Sequence, residues 1–369
     1  MNVPFLNLKA QYHSIKSEID NAIQSVISES AFIKGKYVEN FEKEFANLYG
    51  MKHCIGVANG TDAIYIGLKM LGIGIGDEVI TVSNTWISTS ETITQTGAKP
   101  VFVDIEPDYY CINSDLIEQK INKNTKAIIA VHLYGQSANI EQINELCQKH
   151  NLFLIEDCAQ AHFSEYKNKY TGTYGILSTF SFYPGKNLGA YGDAGAILTN
   201  NDDLAKKMRM YAAHGALIKH QHEMEGINSR LDGLQAAILS VKLPHLLKWN
   251  EQRRQHADLY HNQLKEIREI VCPTIREHSK HTFHLYVIRA QRRDELQHYL
   301  KTNGIETQIH YPNPLPFTNA YRYLNHQPDD FPVSYAYKND ILSLPMYPEL
   351  THEEITYVSA KIKDFYSGK

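Results

Sequence analysis

The chain carries almost no surplus charge of either sign. It has 37 lysines and arginines against 41 aspartates and glutamates in 369 residues, a formal net charge of −4. That balance speaks against nucleic acid or a polybasic membrane contact as a partner. Cysteine is scarce and odd in number: Cys54, Cys111, Cys147, Cys158 and Cys272, with no Cys-x-x-Cys spacing. Reduced thiols in a cytoplasmic protein are therefore expected. Cys158, beside Asp157, reads as a small buried residue at a strand end rather than a nucleophile. No apolar run reaches the roughly 18 residues of a membrane span. The opening MNVPFLNLKAQYHS lacks the basic-then-apolar order of a signal peptide. Repeats and low-complexity tracts are missing too. The 18 histidines are scattered. Their one tight pair, His220 and His222, has no nearby cysteines and no His-Glu-x-x-His frame, so no metal site is expected.

What the chain does have is apolar residues, 43% of the total, and a length that suits two lobes. Short β-rich runs appear at His53–Ala58, Glu78–Ser83, Pro100–Ile105, Ala127–Leu133, Leu152–Asp157, Leu177–Tyr183 and Gly195–Asn200. Several are nearly continuous in apolar residues, as in strands buried on both faces. Helical patterns lie between many of them, at Ala63–Leu71 and at Ile140–His150, where Ile140, Ile143, Leu146 and Cys147 share a face. This alternation predicts an α/β fold with a largely parallel sheet. GIGIGD (Gly72–Asp77) has glycines like a dinucleotide fingerprint, but it follows a helix and precedes a strand, so it reads as a connecting loop. After Leu243 the character changes. Leu246–Ile267 reads as a long helix after a break at Pro244, His281–Ala290 as a strand and Arg293–Asn303 as a helix closed by Gly304. A large domain over residues 1–243 and a long helix with a smaller α/β domain over 244–369 are expected.

Four features fall after different strands of the first domain, where ligands of open α/β sheets gather. Gly60, Thr61 and Asp62 open a helix; the backbone N–H groups and the Thr61 hydroxyl suit a phosphate, while Asp62 would serve as a cap. Asp157 ends a strand as a carboxylate that burial would force to find partners. Trp86 offers either a core ring or a stacking ring. Lys186 lies in SFYPGKNLGAYGDAGA, framed by aromatics and glycines, with Ser181 five residues earlier. A desolvated lysine there could bond to an aldehyde. Each feature alone fits an ordinary cap, core or surface residue. Together they match what pyridoxal 5′-phosphate (PLP) needs: a phosphate cradle, a stacking ring, a carboxylate for the pyridine nitrogen and a lysine for the aldehyde.

The blocks VANGTDAIYIGLKMLGIGIGDEVIT, VHLYGQ, IEDCAQAH, FSFYPGKNLGAYGDAGA, GINSRLDGLQAAIL and IHYP, spread over nearly the whole chain, resemble the DegT/DnrJ/EryC1/StrS sugar aminotransferases. The resemblance implies PLP fold type I, the aspartate aminotransferase-like architecture, with a large, mostly parallel seven-stranded sheet and a smaller C-terminal α/β domain. It implies that Lys186 forms the Schiff base with PLP and that Asp157 pairs with the ring nitrogen. Gln160 would lie near the ring hydroxyl and Trp86 would stack. Gly60, Thr61 and Ser181 would hold the phosphate. Asn228 would reach the phosphate of a neighbouring subunit, which makes a homodimer with shared sites part of the expectation. His162, Tyr183, His310 and Tyr311 are candidate substrate residues. AQAHFSEY departs from the family's AQAHGA at Phe163 and Ser164, which leaves the shape of the substrate pocket open. Relatives with histidine at the lysine position act as dehydratases; Lys186 implies transamination. L-glutamate would donate the amine, leaving pyridoxamine phosphate, and a dTDP-linked 3-keto-6-deoxyhexose would accept it at C3. The galacto product is slightly favoured over gluco. Amination at C4, a non-catalytic PLP-fold protein and an NAD-dependent sugar enzyme are the alternatives.

Overall fold

The computed structural model describes residues 1–368. Seven strands form the main sheet: β1 (His53–Val57), β2 (Glu78–Val82), β3 (Lys99–Val103), β4 (Thr125–Val131), β5 (Phe153–Asp157), β6 (Leu177–Ser181) and β7 (Gly195–Thr199). Their spatial order is β1-β7-β6-β5-β4-β2-β3. β7 runs antiparallel to β1 and β6, and the other pairs are parallel. These are the seven runs anticipated from the sequence, with ends shifted by a residue or two. They were legible because the sheet is covered on both faces. Along β7, Ala196 and Leu198 face one apolar cluster and Ile197 faces the other. One covering layer holds the helices Gly60–Met70 and Asp202–Tyr211; the other holds Lys16–Ser28, Lys36–Tyr49 and Gly233–Lys242.

Two of these helices show how local chemistry sets their ends. Gly60–Met70 is capped by Asn59, whose side-chain oxygen accepts from the Asp62 N–H at 2.8 Å. Asp62 is therefore the bonded third residue of the turn and not the cap, which corrects the sequence-based expectation. Lys36–Tyr49 buries Val38, Phe41, Phe45 and Tyr49, an i, i+3, i+4 stripe, and ends at Gly50 with φ +67°.

A second, antiparallel sheet joins Ile270–Val271, Tyr286–Ala290 and Ile341–Leu344. The helices Leu246–Leu264, Arg293–Thr302 and His352–Ser367 pack with it. Val3 is buried in the same cluster and bridges to Ile305. The extreme N-terminus thus packs with the second sheet rather than the first. The strand expected over His281–Ala290 starts only at Tyr286. Before it, the Thr282 and Leu285 N–H groups donate to Gly135 and Tyr134 carbonyls of the large sheet's loops, and Phe283 takes φ +41°. Those bonds replace a strand ladder and carry His284 to the edge of the main sheet. Among the described residues no helix is long and apolar enough to cross a membrane.

Candidate active site

The carboxyl ends of β1, β2, β5 and β6 open on one cavity of about 550 Å³. Lys186 reaches it from the loop after β6. That loop folds back tightly: the Lys186 N–H donates to the Tyr183 carbonyl at 2.8 Å. A Cβ on Gly189 would lie 2.2 Å from the Pro184 carbonyl oxygen, so only glycine fits there. The buried Lys242 ammonium donates to the Gly189 carbonyl at 2.6 Å and holds the loop from behind. Lys186 is partly exposed, but the surface it shows is cavity wall. Burial lowers its pKa to about 8, with Asp157 pulling the other way. A lysine so placed is far richer in free amine than one in water.

Asp157 faces the same cavity from the end of β5. Its Oδ2 accepts from Thr89 Oγ1 at 2.9 Å and its Oδ1 from the Ala159 N–H at 3.1 Å. Burial raises its pKa; those two bonds, Lys186 and His132 oppose the rise without cancelling it. A buried carboxylate held in this way suits a cationic ring nitrogen, which would favour its charged form. Gln160 is locked by two bonds, accepting from the Tyr134 N–H at 2.7 Å and donating to Tyr311 Oη at 3.0 Å. Trp86 is 58% exposed and sits 5.9 Å from the Tyr311 ring, so it is wall and not core. Opposite, Gly60 abuts Ser181: a Cβ on Gly60 would come within 2.7 Å of Ser181 Cβ. Thr61 Oγ1 and Ser88 Oγ are 2.7 Å apart. The Gly60 and Thr61 N–H groups, in the first helical turn, have no intrahelical partner and are available to an anion. The donors, the carboxylate and the amine fit PLP.

Tyr183, His310 and Tyr311 also line the cavity. His310 Nδ1 lies 2.8 Å from Ser343 Oγ, and burial with Lys186 nearby lowers its pKa to about 4. Asp62, His162 and Asn228 do not line it. His162 is fully buried between Phe180 and Phe182, with both ring nitrogens unpartnered, and burial holds it neutral with a pKa of about 3. It packs behind the wall rather than facing a substrate in this arrangement. Asn228 is exposed in the loop that bridges back to Ala213. Phe163 and Ser164 turn away from the cavity. Phe163 stacks on Tyr49 at 4.4 Å, and Ser164 Oγ donates to the Gly135 carbonyl at 3.1 Å. The departure from AQAHGA therefore alters packing behind the site.

Sequence reasoning missed Thr89, Phe5, Leu6 and His284, all cavity residues. Thr89 could have been suspected from the hydroxyl-rich STSET after β2; nothing local marks Phe5 or Leu6. His132, Glu156 and Cys158 bring ligand atoms within 4.8 Å of one another, but hydrogen bonds already use the first two. Glu156 accepts from the N–H groups of Gly172, Tyr174 and Gly175 at 2.6–2.8 Å and pairs with His132 Nε2 at 3.1 Å. His132 Nδ1 accepts from the Ala138 N–H at 3.1 Å. The group is a polar lock behind Asp157. All five cysteines are free, and burial pushes Cys158 well above its usual pKa.

An amine-rich lysine, a carboxylate and a helix N-terminus at the carboxyl edge of this sheet define a PLP-dependent enzyme of the aspartate aminotransferase-like fold. Residues 13–363 match the DegT/DnrJ/EryC1/StrS aminotransferase family, and the chain belongs to it. It is 47% identical over 99% of both chains to a protein from Geobacillus stearothermophilus named as a pleiotropic regulatory protein. It is 43% identical, over 96% of this chain and 97% of the other, to the dTDP-3-amino-3,6-dideoxy-alpha-D-galactopyranose transaminase of Aneurinibacillus thermoaerophilus. The crystal structure of S. venezuelae DesV in complex with a ketimine intermediate superposes with a TM-score of 0.97 at 38% identity, covering 99% of this chain and 98% of that one. The protein is a PLP-dependent aminotransferase of nucleotide-linked sugars.

Proposed function

We propose that the enzyme moves an amino group from L-glutamate to C3 of a dTDP-linked 3-keto-6-deoxyhexose, giving the galacto 3-amino-3,6-dideoxy product. The observation that carries the chemistry is Lys186, with its lowered pKa, sharing one cavity with the doubly bonded Asp157. The named activity of the 43% identical transaminase supports the sugar. Two relatives at 38% identity are named for a dTDP-3-amino-3,4,6-trideoxy-glucose. PLP supplies an electron sink when bound. Asp157, oriented by Thr89 and Ala159, holds the charge that keeps that sink effective. The Gly60 and Thr61 N–H groups and Ser181 hold the phosphate. Lys186 Nζ moves the proton between carbon atoms as general base and then general acid. Tyr183, His310 and Tyr311 position the sugar, and Trp86 excludes water from one side. Asn228 completes the phosphate site of a second subunit in a homodimer. The relative named as a regulator is 47% identical; a purely regulatory role would not require a lysine whose pKa burial lowers to about 8.

Single-turnover reaction of the pyridoxamine phosphate enzyme with dTDP-3-keto- and dTDP-4-keto-6-deoxyhexoses, with products assigned by NMR, tests this reading. Amination at C3 is expected. Amination at C4 alone overturns it.

A further inference from the structure

Lys186 is followed by Asn187, a buried amide whose bonds decide the state of a histidine. Asn187 Nδ2 donates to the Thr282 carbonyl at 3.1 Å and to Asn250 Oδ1 at 2.9 Å. A main-chain carbonyl can only accept, so the orientation of this amide is fixed. Asn250 is fixed in the same way, its Nδ2 donating to the His162 carbonyl at 2.9 Å. Asn187 Oδ1 is then left 3.1 Å from His284 Nδ1. An amide oxygen cannot donate, so Nδ1 carries the proton and the neutral ring keeps its free lone pair on Nε2.

That lone pair is available. Among the described residues Nε2 has no hydrogen-bond partner, and it is not one of the buried polar atoms left unpaired. His284 forms part of the wall of the cavity that holds Lys186 and Asp157. The segment is clamped from outside by Arg253, which donates to the Phe283 carbonyl at 3.1 Å and the Met346 carbonyl at 2.8 Å. Burial and the neighbouring Lys186 and Arg253 hold the imidazole well below its usual pKa, so it stays an acceptor.

We propose that His284 Nε2 accepts a hydrogen bond from a hydroxyl of the sugar, held in that role by Asn187 and Asn250, and so helps select which keto sugar is aminated. This rests on the sugar-nucleotide reading above. A site built around an acceptor discriminates against an analogue that leaves it unpaired. The His284 ring makes no hydrogen bond to the residues assigned to the cofactor, and the proposal places its effect on the sugar and not on the nucleotide.

The test is calorimetry on the pyridoxamine phosphate form of the enzyme, which has no aldehyde for an amine to condense with, using two probes, a dTDP-linked 3-amino-3,6-dideoxyhexose and dTDP alone. His284→Phe keeps an aromatic ring and removes the acceptor; His284→Gln restores an acceptor oxygen. In His284→Phe the Kd for the amino-sugar nucleotide is expected to rise about tenfold, in line with one lost neutral hydrogen bond, with the Kd for dTDP unchanged. His284→Gln is expected to recover most of the loss. Unchanged affinity for the amino sugar in His284→Phe overturns the proposal. Equal weakening of both probes, which reports general damage, also overturns it. If the wild-type enzyme binds neither probe, the sugar-nucleotide reading itself fails and takes this proposal with it.

Discussion

At the scale of single residues the central quantity is the charge on Lys186. Its pKa is lowered from 10.5 to about 8, and burial is the main cause. The sign follows directly. Below pH 8 the side chain is mostly ammonium and cannot attack an aldehyde; above pH 8 the free amine dominates. The rate at which apo-enzyme takes up PLP covalently is therefore expected to rise with pH, to be half-maximal near pH 8 and to level off about one unit above that. An ordinary lysine would level off some two pH units later. Stopped-flow absorbance of the lysine-bound cofactor checks this, with Lys186→Ala as the control that forms no covalent band. A plateau only above pH 10 would show that the loop leaves the amine in bulk-like water. Asp157 sharpens the point: it is the one charge that raises the lysine pKa, so desolvation outweighs an opposite charge in the same cavity.

At the scale of elements the site depends on close approach between strands and the turns that follow them. Gly195 starts β7 opposite Val57 at the end of β1. A Cβ there would lie 2.4 Å from the Asn59 carbonyl carbon and 2.8 Å from the Gly60 nitrogen, so the clash falls on the turn that presents the anion-binding N–H groups. Gly195→Ala is expected to destabilise the fold by about 1–3 kcal/mol, as overpacking does, and to weaken PLP retention as well. Gly74→Ala, whose Cβ would meet only the Thr96 carbonyl oxygen at 3.6 Å, should change neither. Thermal melts and cofactor retention after dialysis read both effects. The same elements explain what could be read in advance. β1 to β7 were legible because a doubly covered sheet leaves a continuous apolar signature. Tyr286–Ala290 was read too long because His281–Leu285 has the composition of a strand, while its N–H groups are committed to Tyr134 and Gly135, more than 140 residues away in sequence. Lys186 and Asp157, which the structure brings to one cavity, could be singled out in advance because they sit in distinctive local blocks. His284 and Phe5 were not, because only the tertiary fold brings them to the cavity.

At the scale of the whole molecule one expected contributor stands apart. Asn228 is exposed and does not line the cavity of its own chain. Large apolar side chains are exposed elsewhere: Phe32 at 47%, Ile33 at 51%, Leu217 at 45% and Ile218 at 61%. Exposed apolar side chains of this size are what a subunit contact would cover. If each site is built from two chains, Lys186 and Asn228 of one polypeptide serve different sites, and the two defects become separable. A Lys186→Ala dimer has no working site. An Asn228→Ala dimer has two sites with weakened phosphate contacts and is expected to lose PLP faster on dialysis. In a hybrid of the two chains, the site that keeps Lys186 receives its Asn228 from the other subunit and is fully native, while the second site carries both defects. Mixing the two inactive or weakened variants under conditions of subunit exchange should therefore restore wild-type PLP retention in one site per hybrid dimer, and amination with it. If Asn228 acted within its own chain, every site of the hybrid would carry one of the two defects, and mixing would give no more activity than the sum of the parents. Equilibrium sedimentation of the wild-type chain provides the companion measurement: a monomer at micromolar concentration that still retains PLP would remove the shared site altogether.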